Sequence, residues 1–199
     1  HPAQQWLANL MTSGDRAKNL VRQILTFSRK DTGERLPLRL PPVAEEALRL
    51  LRATIPPMIT LRADFAAACP PILADSNQLH QVLINLVTNA WHAMPDRHGT
   101  IAVELAPCEF TSGSAAPLPG MPSGSYVRLS VTDDGTGMDA HTRERIFDPF
   151  FTTKKTGEGT GLGLAVVHGI VESHGGFIKV QSDPGNGSRF DLYFPALSA

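Results

Sequence analysis

The 199-residue sequence has no long hydrophobic run, no basic tract and almost no cysteine. Its longest uninterrupted apolar stretch, residues 65–69, is far shorter than the about 20 residues that cross a bilayer. No signal peptide is evident at the N-terminus. The formal net charge of −1 argues against a nucleic-acid-binding protein, which usually carries a strong basic footprint. Cys69 and Cys108 lack metal-ligand spacing and fit a reducing compartment, so we expect a cytoplasmic protein without a zinc site.

The hydrophobic content and the length of the chain are sufficient for one folded domain with an appendage. Hydrophobic residues make up 42% of the chain, enough for a core, whereas the length is short for two full domains. The first residue is His1 rather than a methionine, which indicates a processed product or a cut fragment.

Residues 3–29 have the periodicity of one amphipathic helix. Its seam follows alternating steps of three and four residues and comprises Leu7, Leu10, Ala17, Val21 and Ile24. Such a seam suits a helical partner in a bundle. The alternative is a surface helix packed on its own domain.

The rest of the chain alternates between strand and helix patterns. Helices are predicted after residue 42 and over 76–94, 140–146 and 162–173, and strands over 59–65, 100–106, 127–133, 177–182 and 190–194. Residues 107–125 are rich in Pro, Gly and Ser and are predicted to form a hairpin loop. The order favours an α/β (α+β) two-layer sandwich, with a mixed, mostly antiparallel sheet and helices on one face.

One candidate polar site lies on the predicted helix over 76–94. Asn85, Asn89 and His92 are spaced by four and three residues and therefore share one face. Asparagine is unfavourable inside helices, and its amide oxygen is a neutral hard ligand that suits Mg²⁺ bridging phosphates. The alternative is a pair of solvated asparagines on an outer face.

Two glycine-containing segments are further candidates. Asp133 ends a strand and is followed by Gly135 and Gly137, so its carboxylate could accept from the amine of a base that the glycines let approach closely. An acidic turn is the alternative. Residues 157–163 are glycine-rich and open a helix, a place where backbone N–H groups bind phosphate. They fit neither a P-loop nor a dinucleotide fingerprint, and a flexible linker is the alternative.

With residues 147–154, these segments resemble in order the catalytic ATP-binding domain of sensor histidine kinases. That superfamily also includes gyrase, MutL and the ninety-kilodalton heat-shock chaperone. The matching boxes are the N box (85–90), the G1 box (133–137), the F box (147–154), the G2 box (159–163) and the closing hairpin (187–190). Residues 22–29 resemble the end of the second helix of the dimerisation and phosphotransfer bundle. The resemblance implies a partial bundle helix over 1–33 and a catalytic domain over 34–199.

The resemblance also implies roles for individual residues. Asn89 would ligate Mg²⁺, Asp133 would accept from the adenine amine, supported by the Ser188 hydroxyl, and residues 139–159 would form a lid whose Lys154 or Lys155 reaches a phosphate. The nucleotide-binding residues expected on this basis are Asn85, Asn89, His92, Asp133, Gly135, Gly137, Met138, Thr153, Lys154, Gly159, Thr160, Gly161, Leu162, Gly163 and Ser188. Many members of the family carry a basic residue where His92 stands, and a neutral imidazole would contact phosphate more weakly.

The sensor histidine kinases that this sequence resembles transfer the γ-phosphoryl group of Mg-ATP to a histidine that precedes an acidic residue. The phosphoryl group is then relayed to an aspartate of a response regulator. The sequence has no such motif, since His1 is followed by Pro2 and the other six histidines lie within the ATP-binding region. We therefore expect no catalytic acceptor in this chain, a histidine-containing bundle helix as its partner, and a homodimer in the intact protein. The alternatives are an ATP-gated switch or protein serine kinase of the same superfamily, and a non-catalytic interaction module.

Overall fold

The computed structural model describes residues 34–94, 98–111, 118–154 and 159–197. The helix predicted over residues 3–29, and Lys155 within the predicted lid, lie outside these ranges. In the described part of the chain, no helix is both long and apolar enough to cross a membrane.

The described residues form strands and helices in an alternating order. Along the chain they are β1 (Leu36–Leu38), α1 (Leu40–Arg52), β2 (Ile59–Phe65), β3 (Ile72–Ala74), α2 (Ser76–His92), β4 (Gly99–Phe110), β5 (Gly124–Asp133), α3 (Ala140–Arg145), α4 (Gly163–Ser173), β6 (Phe177–Ser182) and β7 (Ser188–Pro195).

Five of the strands form one sheet in the order β2-β4-β5-β7-β6. β2 pairs with β4 in parallel, whereas the other three neighbouring pairs are antiparallel. The helices α1, α2 and α4 contribute buried residues to a core that they share with this sheet. The predicted mixed, mostly antiparallel two-layer architecture is confirmed. β1 and β3 pair in a second sheet that was not predicted, because two strands of three residues are too short to show a period.

The helix starts follow from local sequence. Pro41 and Pro42 occupy the first turn of α1, where a missing N–H group costs nothing. Asp75 caps α2, since its side chain accepts a hydrogen bond from the Asn77 amide at 2.8 Å. The apolar face predicted for α2 is buried: Leu79, Val82, Leu83, Leu86, Val87 and Ala90.

The loop predicted over residues 107–125 is wrong at both ends. β4 continues to Phe110 and β5 begins at Gly124, so the two strands form a longer hairpin. Pro107 is tolerated because pairing with β2 ends at Leu105, and its missing N–H group falls at a free edge. The extension is held by aromatic packing, with the Phe110 ring 5.7 Å from that of Tyr126.

His174 joins the end of α4 to the start of α2. Its Nδ1–H donates to the Ile170 carbonyl at 2.8 Å, while Nε2 accepts from the Asp75 amide at 3.2 Å, so both bonds need the neutral ring. The ring also packs edge-on against Phe194. Burial, the largest influence, lowers the pKa of His174 below 6.5, and the nearby Arg35 charge acts in the same direction.

This histidine is expected to make the free energy of unfolding fall in acid. A pKa that is lower in the folded than in the unfolded state gives stability that is fully present above about pH 6.5 and is lost as the pH falls. Between pH 8 and pH 5, the melting temperature of nucleotide-free His174→Phe should therefore fall less than that of the wild type. The control is His168→Phe, which replaces a partly exposed histidine within α4. Equal pH dependence of wild type and His174→Phe would contradict this assignment.

Candidate functional site

The two asparagines of α2 face the first turn of α4. Asn85 is buried and Asn89 half-buried. A Cβ atom placed on Gly163 would lie 3.6 Å from Asn85 Oδ1 and 3.6 Å from Asn89 Nδ2, so both amides lie against this glycine. The outer, solvated stripe that was the alternative is excluded for Asn85, because this side chain lies between two helices.

The start of α4 presents backbone N–H groups to this place. Leu162 precedes the helix with no side-chain cap, and its carbonyl accepts from the Val166 amide at 2.9 Å. The amides of the first helical turn have no partner within a helix, and the helix dipole makes this end favourable for anions. Thr160 supports the entry, since its hydroxyl lies 3.4 Å from the Leu162 amide.

Asp133 ends β5 and is 6% exposed. Its Oδ1 accepts from the Gly135 amide at 2.9 Å. Burial raises the pKa of Asp133 from 3.8 to about 6, against the lowering effect of hydrogen bonds from the Gly135 and Ser188 backbones. The carboxylate is thus held in a fixed orientation and is shielded from solvent, which suits it to accept a hydrogen bond from a buried ligand amine.

The loop after Asp133 is clamped from two sides. The Thr136 amide donates to the Ala93 carbonyl at 2.9 Å, at the end of α2, and the Thr136 carbonyl accepts from the Gly185 amide at 2.7 Å. A side chain on Gly135 would come within 2.7 Å of the Ala93 carbonyl oxygen. Gly137 has a φ of +64° and its Cβ would overlap the Asp183 carbonyl.

Ser182 holds the end of this loop, and no sequence pattern pointed to it. Its hydroxyl accepts from the Met138 amide at 2.8 Å and donates to the Gly187 carbonyl at 2.8 Å. It also lies 3.1 Å from the Ser188 hydroxyl. The support of Asp133 by the Ser188 hydroxyl is therefore corrected: this hydroxyl lies against Ser182, and Ser188 reaches the carboxylate through its backbone.

The F box and G2 box segments meet backbone to backbone. The Phe150 amide donates to the Gly161 carbonyl at 2.9 Å, and both residues have positive φ, of 68° and 66°. A Cβ on Gly159 would lie 2.9 Å from the Thr152 hydroxyl. The glycines are needed here because the two segments approach too closely for side chains.

Replacing Gly161 by alanine is expected to separate these two segments. The new Cβ would overlap the Phe150 backbone, in addition to the strain of a positive φ, so we expect a loss of roughly 1–3 kcal/mol in the free energy of unfolding. Urea denaturation measures it. The control is Gly169→Ala, a helical position where a Cβ meets nothing within 4 Å, which should gain about 0.5–1 kcal/mol. Two variants of equal stability would contradict the role of this contact.

Lys154 and His92 come together at the end of α2. The Lys154 Nζ lies 3.2 Å from His92 Nδ1, although 62 residues separate them. Thr153, the neighbour of Lys154, is exposed. The structure thus brings together two of the residues that were predicted to contact the phosphates. The Lys154 ammonium group places a positive charge beside α2, the helix that carries both asparagines.

The segment that carries α3 is anchored by contacts that sequence reasoning missed. The Arg143 guanidinium donates to the Ser182 carbonyl at 2.9 Å. The Phe147 ring lies 4.9 Å from that of His168 on α4, and the Arg145 guanidinium stacks 4.4 Å from the centre of the Phe151 ring. These contacts fix both ends of the region around the F box, and those to Ser182 and His168 join residues too distant in sequence for a local pattern to reveal.

The assembled site can receive a base, phosphates and a hard cation. Asp133 offers an acceptor at one end, and the start of α4 with Lys154 offers donors and positive charge at the other. Among the described residues, no group of three or more His, Cys, Asp or Glu side chains is placed to hold a metal. The amide oxygens of Asn85 and Asn89 fit a Mg²⁺ ion whose remaining ligands are phosphate and water.

The sequence of residues 74–198 matches the family described as "Histidine kinase-, DNA gyrase B-, and HSP90-like ATPase". The chain is 38% identical to the sensor kinase CckA of Brucella abortus (strain 2308) over 191 residues, which is 96% of this chain and 20% of CckA. It is 46% identical to the sensor histidine kinase ZraS of Escherichia coli (strain K12) over 137 residues, 69% of this chain and 26% of ZraS. The chain therefore spans about a quarter or less of these relatives.

Two solved structures are similar throughout the chain. Full-length ShkA in complex with AMPPNP is 27% identical, with a TM-score of 0.75, and the match covers 100% of this chain and 40% of ShkA. The histidine kinase ThkA in complex with the response regulator protein TrrA is 26% identical, with a TM-score of 0.72, and the match covers 98% of this chain and 52% of that one.

Proposed function

The chain belongs to the family of histidine kinase-, DNA gyrase B- and HSP90-like ATPases, and from this we propose that it is the ATP-binding catalytic domain of a sensor histidine kinase. The observation that carries the proposal is the meeting of Asn85 and Asn89 with the uncapped start of α4 at Gly163. The similarity to CckA and ZraS, both named as sensor kinases, selects this branch of the family. In such a kinase, residues 1–33 would belong to the bundle and residues 34–199 to the catalytic domain.

We assign the bound nucleotide as Mg-ATP. Asp133 accepts from the adenine amine, while Gly135, Gly137 and Met138 shape the base site, with Ser188 behind the carboxylate. The structure of ShkA with AMPPNP supports an ATP-like ligand for this fold. Selectivity for adenine follows because a buried carboxylate offers only acceptors, and a guanine carbonyl at the same place would meet it with another acceptor.

The phosphates would lie over the start of α4, where Gly159, Thr160, Gly161, Leu162 and Gly163 surround the amides of the first helical turn. Lys154 supplies positive charge, with Thr153 and His92 beside it. Asn89 would hold Mg²⁺, and Asn85 would lie next to it. When bound, Mg²⁺ would neutralise charge on the phosphates. The residues of this chain bind and orient the γ-phosphoryl group for in-line transfer, which needs little covalent chemistry from the protein.

The acceptor we propose is a histidine on a bundle helix that this sequence does not include, in a homodimeric kinase. The phosphoryl group would then pass to an aspartate of a response regulator, and the complex of ThkA with TrrA supports that partner class. ATP as the donor is consistent with a cytoplasmic location. This reaction places the protein among the protein-histidine kinases, in two-component signal transduction.

The test separates nucleotide binding from phosphoryl transfer. We expect the chain to bind Mg-ATP in calorimetry, to label itself hardly at all with γ-labelled ATP, and to label the histidine-bearing bundle of its own full-length kinase in trans. That label should be stable in base and labile in acid. Steady ATP hydrolysis coupled to dimer closure, or transfer to serine, would point instead to another branch of the superfamily. No binding at millimolar nucleotide would leave only an interaction module.

A further inference from the structure

The main sheet has one edge whose backbone groups face outward. β2 is an edge strand, and the Ala66 amide just beyond it donates to the Leu105 carbonyl of β4 at 2.9 Å. In a strand, backbone groups alternate between the two sides, so those of Leu61, Ala63 and Phe65 point away from β4. Within the described ranges, the amides of Ala63 and Phe65 donate to no acceptor on that side.

A groove of about 240 Å³ runs between this edge and α1. Its apolar lining consists of Leu48 on the helix and Leu61, Ala63 and Phe65 on the strand. Leu61 is buried, whereas Ala63 is exposed and Phe65 only partly covered, so the groove opens toward the second half of the strand. A helix beside an open edge strand is an arrangement into which an extended peptide can pair while its alternate side chains enter the groove.

The charges of the groove are arranged along α1. Arg49 and Arg52 lie at one end of its lining and Glu45 at the other, which gives a net charge of +1. The Arg52 guanidinium donates to the Leu61 carbonyl, an outward-facing edge acceptor that an added strand would otherwise use. An occupant with an acidic side chain opposite Arg49 and Arg52 therefore complements the groove.

We propose that the groove between α1 and β2 binds an extended acidic segment of a partner protein, which adds to β2 as a further strand. This surface is separate from the candidate nucleotide site, which lies at α2, α4 and the end of β5. A second copy of the chain is a poorer occupant. The side chains of its β2 on the groove face are Leu61, Ala63 and Phe65, and its only β2 acid, Asp64, lies on the opposite face.

The probe is a peptide of about nine residues with valines and a terminal glutamate on the face that enters the groove and threonines on the other face, compared with the same peptide carrying lysine in place of glutamate. We expect the glutamate peptide to bind the full chain and to shift the amide resonances of Ala63 and Phe65, while the lysine peptide does not bind. Arg49→Glu should weaken binding about tenfold or more. Arg62→Glu makes the same charge change on the other face of β2 and should leave the affinity within about twofold.

Ala63→Pro removes the amide at the centre of the edge and should abolish peptide binding, with calorimetric ATP binding retained as a check of the fold. Three results would overturn the proposal: equal binding of both peptides, equal loss in Arg49→Glu and Arg62→Glu, or full binding by folded Ala63→Pro. A concentration-dependent dimer in solution that Ala63→Pro dissociates would assign the edge to a second copy of the chain and overturn it as well.

Discussion

Replacing Asn89 by alanine is expected to remove the Mg²⁺-dependent part of ATP affinity while the fold is retained. Asn89 is half-buried beside Gly163 and is the proposed metal ligand of the site. Alanine is the better helix former, so α2 should not be weakened. Since even outer partners of a bound metal contribute 10–100-fold, we expect a loss of roughly 100-fold in ATP affinity with Mg²⁺. Calorimetric titration with Mg²⁺ and with EDTA measures it.

Two variants make this result specific. Ile84→Ala changes an exposed position on the same helix and should bind Mg-ATP as the wild type does. Asn89→Asp keeps a hard oxygen ligand, so it should retain more metal-dependent affinity than Asn89→Ala. If Asn89→Ala keeps its dependence on Mg²⁺, the cation is held elsewhere in the protein and the assignment of Asn89 fails.

The elements that the sequence revealed are those with a long, regular pattern and a clear start. α2 shows both, because its apolar positions recur over 17 residues and Asp75 caps it. The closing hairpin is of the same kind, with alternating strands on either side of a turn that contains Gly185 and Gly187. In these places local preference and tertiary packing agree.

What the sequence did not reveal depends on contacts between distant residues. The hairpin extension to Phe110 opposes local composition and is stabilised by rings from four strands, Phe110, Tyr126, Tyr193 and Phe177. β1 and β3 are defined only by their antiparallel pairing with each other.

In the candidate site too, the sequence revealed some residues but not the contacts that they make. The glycines and asparagines could be selected because their types are unusual where they stand. Their partners could not be predicted, since Ser182 holds Met138 across 44 residues and Lys154 reaches His92 across 62. A motif thus indicates which residues matter, and only the fold shows what each one touches.

Asp133→Asn is expected to change the pH dependence of stability in the nucleotide-free protein. An acid whose pKa rises from 3.8 to about 6 on folding stabilises the fold below pH 3.8, and that stability is lost as the pH rises through about 6. The variant lacks this loss, so its melting temperature relative to that of the wild type should increase between pH 5 and pH 8. His174 titrates in both proteins and cancels in the comparison. A constant difference in melting temperature would contradict the burial of a charged Asp133.

The same substitution is expected to weaken ATP binding about 10- to 100-fold and to abolish the preference for ATP over GTP. Because the Gly135 amide donates to Oδ1, the asparagine should keep its oxygen there and turn its amide group toward the adenine amine, so that a donor faces a donor. Opposite effects of one change, with weaker nucleotide binding and a melting temperature that increases relative to wild type between pH 5 and pH 8, would separate a ligand-binding role from a structural one. Asp133→Asn replaces the acceptor that faces the adenine amine by a donor. If the preference for ATP over GTP is nevertheless unchanged, the base is recognised elsewhere in the protein.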